Sequence, residues 1–378
     1  MDPIVTSPLG GVALDSGHAG AARLGRRGPS RRALFAAAAL FAVVAVAGIT
    51  WAKWYPYAGK LGTLWDTRVW SGTSMLSTGG VPAQSAPTWH GAWSFTVAYG
   101  EDIWVALVAA IVIAAAMEAL VPPQRVASLL KRRTTLGGTV LAGLVAMPTM
   151  MCTCCSAPIT VTLRRNGAPT SSALGFWLGN PVLNPAVLAF LALVAPWQWV
   201  VTRAVVGVLV VLAVPYFVTR VVRTRRRDEE PATTSPVEGR SFDLHQAPRR
   251  FVTAVGRLGL MLVPEYFAVV LLIGAFRGWL MPLGADTVRW GFLAVLVAAA
   301  AGVLIVIPTA GEIPVLLGLV AVGVSPAVLG ALLIALPAIS LPSMAMVGRT
   351  LTWRVVALTA GAVMVFALLG GALLAALR

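Results

Sequence analysis

Long apolar runs separated by short clusters of basic residues dominate the chain. The runs at 34–51, 103–120, 200–218 and 355–377 approach or exceed the roughly 18 residues that cross a bilayer as a helix. Hydrophobic residues make up 58% of the chain and charged residues only 11%, so a soluble fold could not cover its surface with polar groups. The pattern predicts an all-α polytopic membrane protein.

The charge distribution predicts topology. The net charge is +15, but the lysines and arginines lie in short clusters between apolar runs and not in a basic stripe interleaved with aromatic residues. We therefore expect the lipid bilayer, and no nucleic acid, as partner. The positive-inside rule predicts a plasma-membrane protein with a cytoplasmic N-terminus, with residues 125–133, 164–165, 220–250 and 349–354 inside and 53–102 outside.

The N-terminal third divides into two expected regions. Residues 1–32 are rich in Gly, Ser and Ala without periodicity, which predicts a disordered cytoplasmic tail. Residues 33–102 should form a first span and a Trp-rich external loop. The span lacks a small-residue cleavage site, so we expect it to stay uncleaved. The loop would be either a tryptophan-anchored cap or a vestibule for substrate.

Residues 136–163 are apolar but too short for two spans. Two complete crossings need about 40 residues. Arginine pairs at 132–133 and 164–165 flank the segment, so both of its ends should lie on one side of the membrane. This predicts a re-entrant helical hairpin with its tip near 149–156. Asn-Pro pairs at 180–181 and 184–185 should break the helix that follows.

Proline spacing indicates an internal repeat. Pro122 and Pro148 are 26 residues apart, as are Pro282 and Pro308, and a threonine follows the second proline of each pair. The two pairs are offset by 160 residues.

Beyond the hairpin tip the offset changes. Gly167 and Pro181 are 14 residues apart, as are Gly323 and Pro337, and these pairs are offset by 156 residues. Half one therefore carries four extra residues at its tip.

The two halves should be inverted relative to each other. Repeat one at 103–219 starts outside and ends inside, and after a cytoplasmic linker at 220–250 repeat two at 251–378 starts inside. Inverted repeats of this kind bring broken helices together near the bilayer midplane, where transporters bind their substrates.

The tip of half one carries all three cysteines, Cys152, Cys154 and Cys155. They are too closely spaced for an intrachain disulfide framework, so we expect free thiols. Soft sulfur ligands favour thiophilic species such as trivalent arsenic or copper(I), which makes the cluster a candidate metal site. The alternative is that the cysteines are small apolar residues that let helices pack closely.

The tip of half two carries Glu312. With the 156-residue offset it corresponds to Ser156, so its carboxylate should approach the thiols and either bind a soft cation or accept a coupling proton. The alternative is that the carboxylate only accepts hydrogen bonds from amides of the hairpin. Glu118 and Glu265 are further candidates for coupling. Glu118, however, lies near the end of its span, and Glu265 could satisfy the dipole at a helix start.

Polar residues beside the helix-breaking prolines complete the predicted substrate site. Asn180 and Asn184 each precede such a proline, Ser340 lies two residues before Pro342, and the 156-residue offset pairs Asn184 with Ser340. We expect all three to face the same cavity as the cysteines, Ser156 and Glu312.

Four strings carry a resemblance to a known family: CTCCSAP at 152–158, NPVLNP at 180–185, EIP at 312–314 and SLP at 340–342. Over roughly residues 100–375 the chain resembles the predicted-permease family that includes the trivalent organoarsenical efflux permeases. The resemblance implies a multi-spanning permease, and it implies arsenical binding by the cysteines of the first string. Ser343 and Met344 stand where many members have an acidic residue, which leaves substrate and coupling open.

Three functional hypotheses follow. The first is a secondary transporter that exports a small thiophilic solute, such as a trivalent organoarsenical or a soft metal species. The second is a transporter of a sulfur-containing anion or small thiol, attracted by the positive ends of the half-helices. The third is a membrane thiol oxidoreductase. No thioredoxin-like or cofactor motif surrounds the cysteines, so we expect no cofactor and no enzymatic activity.

Overall fold

The computed structural model describes residues 31–70, 86–122, 128, 130, 134–228, 244–280, 291–321 and 323–377. Within these residues every regular element is helical. The N-terminal part contains α1 (Arg31–Ile49), a π-helical turn (Thr50–Trp54) and α2 (Tyr55–Thr67). Half one contains α3 (Trp89–Leu120), α4 (Thr135–Ala146), a 3₁₀ turn (Met147–Thr149), α5 (Thr153–Arg165), α6 (Thr170–Val182), α7 (Pro185–Val194) and α8 (Trp197–Asp228). Half two contains α9 (Ala247–Leu280), α10 (Phe292–Leu304), α11 (Glu312–Ala321), α12 (Pro326–Ala338), α13 (Leu341–Leu351) and α14 (Trp353–Ala376).

Six helical stretches of the described chain are long and apolar enough to cross a membrane, and α12 with α13 makes a seventh if that bent pair is one span. The two helices of the pair meet at 50°. In contrast, α4, α10 and α11 are apolar but short. The prediction of an all-α protein with several membrane spans is confirmed.

Equivalent helices of the two halves start at positions separated by the same offset as the prolines and glycines. α6 and α12 begin 156 residues apart, as do α8 and α14. The breaks also correspond, because Met150 has φ of 51° and Ala310 has φ of 68°. A positive φ is uncommon outside glycine, so the same strained turn precedes the second short helix of each half.

The turns after α5 and α11 share one geometry. Gly167 has φ of 87° and Gly323 has φ of 79°. In each turn the next residue's amide bonds to the carbonyl five positions earlier at 3.0 Å. This is the left-handed glycine cap of a Schellman motif, and it lets α6 and α12 turn back against the preceding short helices.

Close helix packing depends on small residues. A Cβ at Gly179 on α6 would lie 2.9 Å from the Cα of Gly143 on α4, which no real contact allows. A Cβ at Gly175 would lie 2.8 Å from the Thr139 carbonyl oxygen. α4 and α6 therefore approach at backbone distance, as small residues permit between helices in membranes. The halves join where α3 packs on α9, α8 on α14 and α5 on α13.

The prediction that residues 53–102 form a loop is wrong at both ends of that range. The first helix continues through a π-helical turn to Thr67, and α3 already begins at Trp89. Aromatic packing stabilises these helical extensions: the Tyr57 and Phe190 rings are 5.6 Å apart, and the Trp51 and Trp104 rings 6.1 Å apart. Residues 71–85 lie outside the described part of the chain.

Two other predicted segments are described only at their edges. Arg31 and Arg32 of the predicted tail belong to α1, and residues 1–30 lie outside the described residues. The linker predicted at 220–250 is helical at its edges, because α8 continues to Asp228 and α9 begins at Ala247. Residues 229–243 lie outside the described residues.

Candidate functional site

Two helix breaks meet at the centre of the protein. We call residues 147–156 tip one and residues 305–312 tip two. In tip one the chain leaves the 3₁₀ turn through Met150 in the left-handed region and enters α5 at Cys152, its N-cap residue. In tip two α10 ends at Leu304, and α11 begins at Glu312. Each tip thus presents the positive N-terminal end of a helix dipole, which favours negatively charged groups there.

The three cysteines form a compact cluster in tip one. The Cys152 sulfur lies 3.0 Å from the Cys154 sulfur and 3.0 Å from the Cys155 sulfur. All three sulfur atoms lie within 4.8 Å of one another, all three residues are buried, and none forms a disulfide. Three convergent thiols are a suitable ligand set for one soft, trivalent or monovalent centre.

Two tyrosines contact the cysteine cluster from the long helices. The Tyr99 hydroxyl on α3 lies 3.9 Å from the Cys154 sulfur, and the Tyr266 hydroxyl on α9 donates to the same sulfur at 3.7 Å. Their rings are 6.1 Å apart. The first long helix of each half therefore contributes one wall beside the thiols.

Glu312 in tip two forms a buried ion pair with Arg203 of α8. The Arg203 Nη1 and Glu312 Oε1 atoms are 2.7 Å apart, and both side chains are almost fully buried. The same guanidinium donates from Nη2 to the Pro181 carbonyl at 3.0 Å and from Nε to the Val182 carbonyl at 3.2 Å. These carbonyls lie at the end of α6, so Arg203 links the broken helix of half one to the tip of half two.

Asn180 and Ser340 connect the broken helices to tip one. The Asn180 Oδ1 atom accepts a hydrogen bond from the Met151 amide at 2.8 Å. The Ser340 hydroxyl lies 3.0 Å from the Thr153 hydroxyl and donates to the Ser343 hydroxyl at 3.2 Å. Ser340 thus bridges the two halves directly beside the cysteines.

Two predicted site residues make local helix contacts. The Asn184 Oδ1 atom accepts from the Ala186 and Val187 amides at 3.0 and 3.4 Å, so it caps α7. Ser156 donates to the Thr153 carbonyl one turn earlier in α5. Both residues are fully buried.

The other coupling candidates are separate from this centre. Glu118 on α3 forms an ion pair with Arg257 on α9, whose side chain is 45% exposed. The side chain of Glu265 lies outside the described residues.

A small crevice joins the two tips. It is lined by Cys152 and Thr153 from tip one, Thr309 and Glu312 from tip two, and Pro181 and Pro337 from the broken helices, among others. The structure thus places the Glu312 carboxylate and the Cys152 thiol on the walls of one space. With about 10 Å³ of free volume, the crevice admits no solute in this conformation.

A larger cavity of about 640 Å³ adjoins the crevice through Pro308 and Thr309, which line both. The helical stretch 31–67 supplies much of its wall, including Lys53, Tyr57 and Lys60, while α3 supplies Asp102. This volume is in the range of small-molecule sites.

Sequence reasoning missed Arg203 and Lys53. A lone arginine within the apolar run 200–218 was a usable signal, because a charge within a span is costly and marks a functional or paired site. Lys53 carried a weaker signal: it is four residues before Tyr57, a spacing that matters only once the segment is known to be helical.

Comparison with known proteins gives one family. The profile of a family described as predicted permease matches residues 88–376. The chain is also 36% identical over 339 residues to the UPF0718 protein YraQ of Escherichia coli strain K12, with 89% of this chain and 94% of that protein covered. No solved structure matches. The match confirms the resemblance carried by the cysteine and Asn-Pro strings, and the chain belongs to the predicted permease family, as a multi-pass membrane protein.

Proposed function

We propose that this permease exports a small thiophilic solute, such as a trivalent organoarsenical or a soft metal species, and that the cysteine cluster binds it. The observation that carries the proposal is the convergence of three buried free thiols within 4.8 Å, one of which, Cys152, lies on the wall of a crevice between the two tips. A trivalent centre such as RAs(OH)₂ can condense with two thiols and release two water molecules. The third thiol can then exchange with one of these ligands, which keeps binding reversible.

The neighbouring groups support a transport site for soft solutes. The crevice walls combine Cys152 with Glu312 and two helix-breaking prolines. Irregular backbone at membrane depth is tolerated where it lines a cavity. Ser156, Asn180, Asn184 and Ser340 hold the breaks in place, so in this proposal their role is to position the cysteine cluster.

We further propose that Glu312 couples transport to proton movement. Protonation of Glu312 would leave Arg203 buried beside a neutral partner, at a cost of several kcal/mol. Proton uptake must therefore accompany a rearrangement at the contact between α8 and tip two. This contact joins the two halves, so the titration of one carboxylate would bias their relative position.

The membrane arrangement proposed for this mechanism is a pair of inverted repeats with re-entrant hairpins, inserted in the plasma membrane with the N-terminus in the cytoplasm. The equal offsets of helix boundaries and of positive-φ residues support the repeat. Cysteines introduced singly at 164 and 226 in a protein lacking the native three should resist an impermeant maleimide in intact cells. External labelling at either position would contradict this arrangement.

Proteoliposomes test the transported solute. Vesicles containing the purified protein should accumulate a trivalent phenylarsenical, measured as arsenic by mass spectrometry, faster than protein-free vesicles, and a pH gradient should change the rate. Thiosulfate transport without arsenical transport would favour the sulfur-containing anion. A change in thiol redox state without solute flux would favour the oxidoreductase.

A further inference from the structure

Lys53 is a buried cation that the proposed transport cycle does not use. It lies in the π-helical turn Thr50–Trp54 and is 7% exposed. Its Nζ atom donates to the Tyr57 hydroxyl at 3.2 Å and to the Thr309 hydroxyl at 3.1 Å, and both partners are neutral. Among the described side chains, no carboxylate forms an ion pair with it. A buried ammonium with neutral partners is costly, so a site that retains one needs an anion for balance.

The turn that carries Lys53 contacts both tips. The neighbouring Trp54 donates from Nε1 to the Pro148 carbonyl of tip one at 2.7 Å, while Lys53 binds Thr309 of tip two. Pro148 and Pro308 are equivalent in the 160-residue offset, so adjacent residues of one turn bind equivalent segments of the two halves. π-helical turns are rare and occur frequently at functional sites. This turn lies outside the segment at 88–376 that matches the family profile.

Lys53 also lies between the large cavity and the thiols. It lines the cavity of about 640 Å³ together with Thr309. Thr309 in turn lines the crevice that contains Cys152. The ammonium group therefore lies on the wall of the cavity, one hydrogen bond away from a residue that also lines the crevice.

Among the described residues, the charged ones that line the cavity are Lys53, Lys60 and Asp102. Lys60 stacks over the Trp70 ring, with its Nζ atom 3.7 Å from the ring centroid. The lining therefore carries two cations and one carboxylate, and an anionic group inside it would be attracted.

We propose that Lys53 forms an anion-binding subsite beside the cysteine cluster, so that the site favours thiol-reactive solutes that also carry a negatively charged group. The expectation that the solute has a thiol-reactive centre rests on the function proposed above. The expectation that it has an anionic group rests on Lys53 and the cavity alone. The expected cargo class is a small organic or sulfur-bearing anion that also holds a soft, thiol-binding atom.

Alkylation with two isosteric reagents tests the subsite without any transport measurement. Iodoacetate is an anion and iodoacetamide is neutral, yet both alkylate a thiolate and release iodide. Rate constants for each cysteine are measured by mass spectrometry on the full-length protein in liposomes, and the unfolded protein gives the reference ratio. The ratio of the two rates isolates attraction of the anion, because a change in thiolate content affects both reagents equally.

We expect the iodoacetate to iodoacetamide ratio at Cys152 or Cys155 to exceed that of the unfolded protein. Lys53→Met should lower it about tenfold, because one unit charge near the reacting atom is lost. Lys53→Arg keeps the charge and should keep the ratio high. Lys60→Met is the matched control, since it removes a cation from the same cavity wall, and it should change the ratio less.

Three results would overturn the subsite. The first is the same iodoacetate to iodoacetamide ratio in the parent and Lys53→Met proteins, and the second is a fall of that ratio in Lys60→Met as large as in Lys53→Met. The third is that no cysteine of the folded parent protein is alkylated. The iodoacetamide rate shows whether Lys53→Met remains folded with reachable thiols. The function proposed above fails on a different measurement, because it requires arsenical flux, which no alkylation rate reports.

Discussion

Tip one and tip two share a backbone design and differ in chemistry. In both, a Pro-Thr pair precedes a non-glycine residue of positive φ, and a new helix starts a few residues later. Tip one presents three thiols within 4.8 Å. Tip two presents the Glu312 carboxylate, already paired with Arg203 at 2.7 Å. The repeated backbone thus supplies two helix ends at one place, and the side chains decide what each end can bind.

The two tips also differ in their links to the rest of the protein. Tip one is held by Asn180 of its own half, by Ser340 of the other half and by Trp54 of the N-terminal stretch. Tip two is held by Arg203 of half one and by Lys53. Hydrogen bonds from neutral groups therefore position tip one with its thiols, while hydrogen bonds and an ion pair from cationic side chains position tip two with its carboxylate. A substitution should act differently according to which tip it affects.

Removal of the three thiols should have the largest effect, which is on the affinity for a trivalent arsenical. The combined variant Cys152→Ser, Cys154→Ser and Cys155→Ser keeps size and some hydrogen bonding but removes every thiol of tip one. We expect affinity for a trivalent arsenical to fall more than about a hundredfold, beyond the usual cost of losing an outer-shell partner. Equilibrium binding to the purified protein measures it.

The matched control for the cysteines is Met151→Leu, a buried change of similar volume in the same tip that removes a thioether. It should leave the affinity nearly unchanged. If the triple serine protein binds the arsenical as tightly as the parent, the cysteines are packing residues, and the contrast between the tips has no functional meaning.

The next effect concerns the ion pair of tip two. Glu312→Gln leaves the Arg203 charge buried without its partner, so we expect unfolding to become easier by about 3–5 kcal/mol. Adding Arg203→Met should recover part of that loss. The single variant should still bind the arsenical, because the thiols are intact, but lose its response to a pH gradient. Denaturant unfolding and vesicle flux measure these two properties. Full gradient-driven transport by Glu312→Gln would remove the coupling role.

A smaller effect separates the two asparagines. Asn180→Leu leaves the Met151 amide buried without an acceptor, which should cost about 1–3 kcal/mol of stability and reduce arsenical binding by moving tip one. Asn184→Ser keeps an N-cap acceptor at α7 and should change stability by less than about 0.5 kcal/mol. Unfolding midpoints compare the two variants. A larger loss for Asn184→Ser would show that Asn184 does more than cap its helix.

The smallest effect is expected at Glu118. Its ion pair with Arg257 is partly exposed, so Glu118→Gln should cost no more than about 1 kcal/mol. Flux driven by a pH gradient should match the parent, which makes this variant a control for Glu312→Gln. Loss of gradient-driven flux in Glu118→Gln alone would move the coupling role away from tip two.

Site features made by residues close together in the sequence were predictable, and contacts between residues far apart in the sequence were not. The cysteines lie within four residues of one another, so their proximity is a local property of a tip. The spacing of prolines and glycines predicted a tip near 149–156 in half one and a second tip at Glu312 in half two, because these residue types restrict the backbone wherever they occur. The corresponding helix boundaries follow the same spacing.

The cations of tip two escaped prediction because their partners are distant in sequence. Lys53 binds Thr309, 256 positions later, and Arg203 pairs with a carboxylate in the other half. Nothing near either residue in the chain indicates these contacts. The Trp-rich segment was also mistaken for a loop, since its helix is stabilised by packing such as that of Tyr57 against Phe190 of α7.

X-ray absorption at the arsenic edge tests the central claim most directly. A trivalent phenylarsenical is added to the purified full-length protein, and the atoms around arsenic are identified from the fine structure. We predict a shell of sulfur neighbours in the parent protein, retained in Met151→Leu and absent from the triple serine protein. An arsenic surrounded only by oxygen and carbon in the parent protein would contradict the claim that tip one binds the cargo.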